Sequence, residues 1–257
     1  MKKVLTIAGS DSIGGAGIQA DIKTMMTHGI YAMSAVTAVT AQNTMGVKSV
    51  NPVSAEAVGQ QIEAVFEDIR PDAVKIGLIA NEEQAEAIAE RLKFYHAENI
   101  VTDPVAVSTS GHALTDTKAY QEIAKRIFPL SRLVTPNISE AEMISGEIIT
   151  NQAYIIIATQ YISKKYNCAV LCKGGHFGEN ADDFLFANNR GFWFNGIRIK
   201  SGELHGTGCT LSSAIASNLA KGHSLKKSIY LGKQYVADCI ATAFDISKGS
   251  RPLNHMK

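Results

Sequence analysis

Short apolar runs and helix-period segments alternate along the whole of this sequence, and that alternation most narrows the folds open to it. Strands parted by helices are the sequence form of an α/β protein, because each pair of parallel strands needs a long crossover, usually helical. The pattern predicts a strand over Lys3–Ala8, a helix near Gly17–His28, a strand-like run Tyr31–Thr40 and a short strand Val47–Val53. A helix from Ser54 to Asp68 takes Ser54 as its N-cap, with Glu56 in the first turn, and Pro71 parts it from a strand at Ala73–Ile76. Helices over Asn81–Tyr95, Thr117–Ile127, Ser139–Ser145 and Gln152–Tyr166 then alternate with strands at Ile100–Thr102, Leu133–Thr135 and Ala169–Cys172. Residues 183–199 read differently: Phe184–Phe186 and Phe192–Phe194 flank a turn at Asn188-Asn189-Arg190-Gly191, the signature of an antiparallel hairpin at a sheet edge. Helices over Gly208–Lys221 and Leu225–Ile246 follow. No linker or internal repeat interrupts the scheme, so residues 1–257 are expected to form one α/β domain with a mostly parallel sheet.

A chain of 257 residues buries roughly 70–75% of its unfolded surface in one core. With 46% hydrophobic and 19% charged residues it falls outside the disordered and low-complexity classes. The 25 basic and 24 acidic residues leave a net charge of +1, too little for a field that holds a nucleic-acid backbone or an anionic membrane. No apolar run approaches the ~20 residues of a bilayer span. The apolar stretch after Met1-Lys2-Lys3 runs into Gly9-Ser10-Asp11 and reads as a buried first strand instead of a leader, so the expected compartment is the cytoplasm. Cys168, Cys172, Cys209 and Cys239 form neither a disulfide framework nor a CxxC pair, and reduced thiols are expected.

Two glycine-rich loops carry the chemistry. The first, Gly9-Ser10-Asp11-Ser12-Ile13-Gly14-Gly15-Ala16-Gly17, follows a strand and opens a helix, where converging N–H groups favour an anion or polar ligand. A tight strand-to-helix turn is the plainer reading of the same residues. Gly15-Ala16-Gly17-Ile18-Gln19-Ala20 matches G-x-G-x-x-A, but no acid lies between Asp21 and Glu56 to hold a ribose, and no Gly-Lys-Ser/Thr follows. A Walker-type loop is thereby excluded, and a dinucleotide oxidoreductase is weakened to a third reading, which absence of NAD binding would close. The second loop, His205-Gly206-Thr207-Gly208-Cys209-Thr210, precedes a helix of small residues. Its glycines let amides of Gly206, Thr207 and Gly208 aim at one spot, and the helix dipole adds positive potential that suits phosphoryl charge in flight. A thiol there is expected to have its pKa lowered, so that Cys209 acts as a base toward a substrate hydroxyl; a buried inert cysteine is the alternative.

These loops, together with Thr40-Ala41-Gln42-Asn43-Thr44, Lys75-Ile76-Gly77-Leu78, Asp103-Pro104, Thr135-Pro136-Asn137 and Cys172-Lys173-Gly174-Gly175-His176, closely resemble the hydroxymethylpyrimidine/phosphomethylpyrimidine kinases of thiamine biosynthesis. The similarity runs from about Val4 to Phe244, with the motifs in family order. It implies a ribokinase-like, three-layer α-β-α sandwich on a Rossmann-like sheet. It also implies ATP and Mg²⁺ as cofactors, a small aminopyrimidine as substrate and a homodimer, with the 183–199 hairpin as one contact. Pyridoxal kinases share the first and last glycine motifs and supply the alternative substrate. A catalytically silent ligand-binding protein on the same fold is the alternative from another class.

By the resemblance, Gly9, Asp21, Gln42, Leu78 and Val105 hold the pyrimidine, Leu78 standing where the family usually has Met. The chemistry agrees, since a carboxylate accepts from a ring amine and a carboxamide both donates and accepts. Asp21 as an ordinary helix acid is the alternative. Asp103 and Glu140 match positions that organise Mg²⁺, and Thr135, Asn137 and Lys173 positions near the nucleotide phosphates. Cys209 is the implied base, with Gly206, Thr207 and Gly208 as the anion-binding loop. Glu203-Leu204 stands where Asn-Thr is common, and Ala106 replaces a common Met. His176 and His205 read as backbone-bonded loop residues, without metal-ligand spacing.

Overall fold

A computed structural model describes residues 1–105, 117–174, 180–199 and 201–257. Ala106, Gly175 and His176 lie outside the described residues. The chain runs β1 (Lys3–Ser10), α1 (Gly17–Thr27), β2 (Tyr31–Asn43), β3 (Gly46–Pro52), α2 (Ala55–Asp68), β4 (Ala73–Ile76), α3 (Glu82–Phe94), β5 (Ile100–Thr102) and α4 (Thr117–Ile127). After a single 3-10 turn at Phe128–Leu130 come β6 (Leu133–Val134), α5 (Ile138–Ser145), α6 (Gln152–Tyr166), β7 (Ala169–Lys173), β8 (Asp183–Ala187) and β9 (Arg190–Phe194). The chain then continues through β10 (Leu204–His205), α7 (Thr207–Ala220), α8 (Leu225–Ala241) and β11 (Arg251–Pro252).

Nine strands form one sheet in the order β3-β2-β1-β4-β5-β6-β7-β8-β9. Pairing is parallel from β2 through β7 and antiparallel at both edges, where β3 and the β8–β9 hairpin attach. The pleat sorts side chains by period two. Leu5, Ile7, Val74, Ile76 and Val170 enter a core with helices α2 to α6. Val4, Ala73, Val101 and Leu171 enter a second core on the other face, with α1, α7 and α8. Burying each of these Leu, Ile or Val side chains contributes ~1.5–3 kcal/mol, so two apolar faces fix a helix–sheet–helix sandwich.

The expected boundaries hold with three instructive differences. Strand β2 runs to Asn43, three residues past Thr40, which places Gln42 on the sheet. Asn188 and Asn189, both in the left-handed region (φ 51° and 58°), alone make the hairpin turn, so β9 already begins at Arg190. Helix α8 stops at Ala241 instead of reaching Ile246. There the guanidinium of Arg251 takes the carbonyls of Ala243 and Phe244, and the Phe244 N–H donates to Pro252 O, so a long-range contact outcompetes helical periodicity. The same turn back creates the two-residue parallel pair β10–β11.

Candidate active site

Strand order reverses between β1 and β4, and in open α/β sheets such a reversal leaves a ligand crevice outside the carboxyl ends of the strands. Gly9 on β1 and Leu78 after β4 meet at this point: a Cβ on Gly9 would lie 3.0 Å from Leu78 Cδ2. Asp103 follows β5, Thr135 follows β6 and Lys173 ends β7, at the same edge of the sheet. Val105 is partly buried beyond them, its N–H bonded to Asp103 O at 2.9 Å.

Helix α7 points its first turn into this edge. Its N-cap, Gly206, has φ 89°, and a Cβ there would sit 1.8 Å from Gly15 O, so the two glycine loops touch backbone to backbone. The amides of Thr207, Gly208 and Cys209 have no intrahelical acceptor, and no side chain caps them. Ser54, Asn81, Asn137, Asn151 and Ser224 cap α2, α3, α5, α6 and α8 with their side chains. Helix α1, with Ala16 as N-cap, also lacks a side-chain cap, and the bare first turn of α7 leaves amides for an anionic ligand at the Asp103–Lys173 edge.

Directly beneath lies a charged pair. Lys173 Nζ is 2.7 Å from Asp103 Oδ1, and Thr135 Oγ1 donates to the same oxygen at 3.2 Å. A Cβ on Gly208 would lie 3.0 Å from Asp103 Oδ2 and 3.3 Å from Lys173 Nζ, so the first turn of α7 sits directly against this pair. Burial works against the Lys173 ammonium, but the charges of Asp103 and Glu140 override it and hold the pKa above that of an ordinary lysine. Lys173 N–H donates to Pro136 O at 2.8 Å, which ties β7 to the start of α5. There Asn137 and Glu140 form a capping box: Asn137 Oδ1 accepts from Glu140 N at 2.9 Å and Glu140 Oε2 from Asn137 N at 2.8 Å. No group of three or more His, Cys, Asp or Glu forms a metal cage among the described residues. Two buried carboxylates, Asp103 and Glu140, fit the other way of holding Mg²⁺, through water and substrate phosphates.

Two expectations need correction. Burial raises the Cys209 thiol to about 11, and the opposing charge of Lys75 does not offset it, so the predicted lowering at the helix N-terminus does not occur. Asp21 does not reach the crevice: it is wholly buried. Its Oδ2 accepts from Thr6 Oγ1 at 2.6 Å and Lys75 Nζ at 2.8 Å, and its Oδ1 from Ser213 Oγ at 2.7 Å. Thr6 and Lys75 pair in register on β1 and β4, so this network joins the sheet to α1 and α7 beneath Cys209. One signal was present in the sequence: a lysine inside the apolar strand Ala73–Ile76 demands a buried partner.

The first glycine loop spends three of its amides on a carboxylate of its own. Its amides at Ile13, Gly15 and Ala16 all donate to the Asp11 carboxylate, at 3.1, 2.9 and 2.8 Å. Asp11 also lies 3.0 Å from His205 Nε2, which is 3.3 Å from Gln42 Nε2. Burial opposes the Asp11 charge, yet hydrogen bonds from His205, the loop amides and Gln42 hold its pKa below the usual carboxylate value. No local pattern marks Asp11 and His205 as a pair, because the two stand 194 residues apart in the chain.

A doubly wound sheet with a bare helix N-terminus set on a lysine–carboxylate pair defines a phosphotransferase of the ribokinase-like class. Structural likeness agrees: the ADP complex of Bacillus subtilis pyridoxal kinase superposes with a TM-score of 0.92 at 32% identity, covering 99% of this chain and 97% of that one. Phosphomethylpyrimidine kinase from Clostridium difficile gives 0.84 at 43% identity, over 93% and 100%. The family described as phosphomethylpyrimidine kinase matches residues 11–254, and the chain belongs to that family. The hydroxymethylpyrimidine/phosphomethylpyrimidine kinase of Rhizobium meliloti is 43% identical over 98% of this chain and 96% of its own length. A thiamine biosynthesis bifunctional protein of Geobacter sulfurreducens is also 43% identical, and the chain spans 52% of its length.

Proposed function

We propose that the protein transfers phosphoryl groups from ATP first to the hydroxymethyl group of 4-amino-5-hydroxymethyl-2-methylpyrimidine and then to the resulting monophosphate. The observation that carries this reading is the uncapped N-terminus of α7 lying against Asp103 and Lys173. When bound, Mg·ATP supplies the phosphoryl group, and its metal compensates phosphate charge. Lys173 and the amides of Thr207, Gly208 and Cys209 hold the anionic oxygens in line, with Thr135 and Asn137 shaping the rim. Asp103 and Glu140 would hold the metal, through water or directly. In the first transfer the substrate oxygen bonds to the γ-phosphorus as the bond to departing ADP breaks, and Cys209 Sγ takes the proton. With the thiol near pH 11, roughly one Cys209 in ten thousand is a thiolate at neutral pH, so this step gains from alkali. In the second transfer the nucleophile is a phosphate monoester, already ionised at neutral pH, and needs no base.

Gly9, Leu78, Gln42 and Val105 line the ring pocket in this reading, with Asp21 fixing the floor from behind. Residues 1–257 act as one catalytic unit, in the cytoplasm and as a homodimer, without nucleic-acid or membrane partners. Among the described residues no helix is long and apolar enough to cross a membrane. The high TM-score with a pyridoxal kinase favours pyridoxal as the second reading. ADP release on adding either ring compound to protein and Mg·ATP separates them: the pyrimidine is expected to drive it, and release with pyridoxal alone would reverse the assignment.

A further inference from the structure

Residues 77–80, which follow β4, form neither helix nor strand, yet each of them is tied down. The Gly77 N–H donates to Ile7 O at 2.9 Å, and the Ile79 side chain enters the core with helices α2 to α6. The Leu78 carbonyl accepts from Thr37 Oγ1 at 2.6 Å, and the Ala80 N–H donates to Gln84 Oε1 at 2.9 Å. Leu78 is left partly exposed, with its side chain against Gly9 at the crevice.

Thr37 and Gln84 are both wholly buried, and nothing in the phosphoryl transfer calls on them. Gln84 commits its whole carboxamide to this loop and its neighbours. The NH₂ group donates to Thr37 O at 2.8 Å and to Val53 O at 2.6 Å, while the oxygen takes the Ala80 N–H. One amide and two carbonyls around a single side chain match a carboxamide, and match neither a carboxylate nor an apolar chain. The Gln84 backbone is itself set by the Asn81 cap, whose Oδ1 accepts from Gln84 N at 2.9 Å. Thr37 lies one residue before the stretch of β2 that pairs with β3, and its carbonyl also accepts from Val53 N at 2.9 Å. A buried network with every member satisfied holds one arrangement of the chain, because a shift leaves a polar group unpaired.

We propose that Thr37 and Gln84 are positioning residues for substrate binding: they hold the main chain on either side of Ile79 and so keep the Leu78 side chain against Gly9. Neither touches the substrate. A wall already held in place binds a flat ring at less ordering cost than a mobile one. The proposal rests on the reading of Leu78 as one wall of the ring pocket and names what holds that wall.

The test sets two changes at one position against each other. Thr37→Val keeps the shape of the side chain and removes its hydroxyl, whereas Thr37→Ser keeps the hydroxyl and removes a methyl group. Titration calorimetry with 4-amino-5-hydroxymethyl-2-methylpyrimidine and with ADP reads affinity apart from the folded fraction, which appears in the stoichiometry; KM for the pyrimidine and for ATP is measured alongside. Thr37→Val and Gln84→Met are expected to weaken pyrimidine binding and raise its KM by about tenfold, leaving ADP affinity and the KM for ATP within about twofold. Thr37→Ser should stay within about twofold of wild type for both ligands. Were Thr37 only filling the core, the order would reverse, since the serine leaves a cavity and the valine does not. That reversed order, an unchanged pyrimidine affinity in Thr37→Val, or an equal loss for ADP overturns the proposal alone. Should Gln84→Met fail to fold, the two Thr37 variants decide. Wild-type protein that neither binds nor phosphorylates the pyrimidine overturns the functional reading, and this proposal with it.

Discussion

The Lys75 ammonium lies 2.8 Å from the Asp21 carboxylate with neither side chain exposed. Burial alone would favour the neutral lysine, and the charges of Asp21 and Asp103 overcome that and raise its pKa above the ordinary lysine value. Removing one partner of a buried pair leaves an uncompensated charge, which costs ~3–5 kcal/mol. Asp21→Asn is therefore expected to lower the calorimetric Tm by roughly 6–20 °C. Adding Lys75→Met to that variant should recover much of the loss. An Asp21→Asn protein that melts with the wild type would show that the pair is not what joins α1 to β4.

Cys209 governs one transfer and not the other. Cys209→Ala should slow phosphorylation of the alcohol by about 10²–10⁴-fold and that of the monophosphate far less. Because burial holds the thiol near 11, the thiolate fraction rises with pH over the whole working range. The alcohol step should thus accelerate from pH 7 to 10, while the monophosphate step, with a nucleophile of second pKa ~6, stays level. Single-turnover rates for the two substrates across this range check both statements, and equal losses in Cys209→Ala would refute the base role.

Contact between the two glycine loops should be intolerant of a single methyl group. A Cβ on Gly206 would stand 1.8 Å from Gly15 O on a backbone with φ 89°. The left-handed conformation alone costs ~1–3 kcal/mol for a non-glycine residue, and relieving the clash must move the first turn of α7. Gly206→Ala is expected to weaken ADP binding by about tenfold or more in titration calorimetry. Wild-type affinity would mean that the amides of α7 do not hold the phosphates.

Acid should loosen the same turn from below. Thr210 Oγ1 donates to Gly206 O at 2.8 Å and so accepts from His255 Nε2 at 3.0 Å. Burial, aided by the charge of Lys23, pushes His255 down to about 4. A folded pKa below the unfolded ~6.5 gives stability that is present above pH 6.5 and lost as pH falls toward 4. Denaturant midpoints should decline through that window, and His255→Gln should flatten the decline. An equally steep decline in the variant would assign the acid sensitivity elsewhere.

The sheet was legible because its central strands are short, apolar and bounded by helix caps: β4, β5 and α6 begin and end where residue pattern places them. Helix α8 and the β10–β11 pair were not, because Arg251 and Pro252 act on partners outside their own short segment. At the site, the glycine loops announced where backbone approaches closely. Which loop keeps its amides free depended on Asp11, whose carboxylate consumes those of the first loop. The pKa of Cys209 and the burial of Asp21 likewise depended on how α7 covers Lys75, a contact no local pattern encodes.

The most direct measurement is phosphorus NMR of the purified protein with Mg·ATP and 4-amino-5-hydroxymethyl-2-methylpyrimidine. A monophosphate resonance giving way to a pyrophosphoryl pair, with ADP formed in step, is the expected result. ATP left unconsumed with the pyrimidine, or consumed with pyridoxal alone, would contradict it.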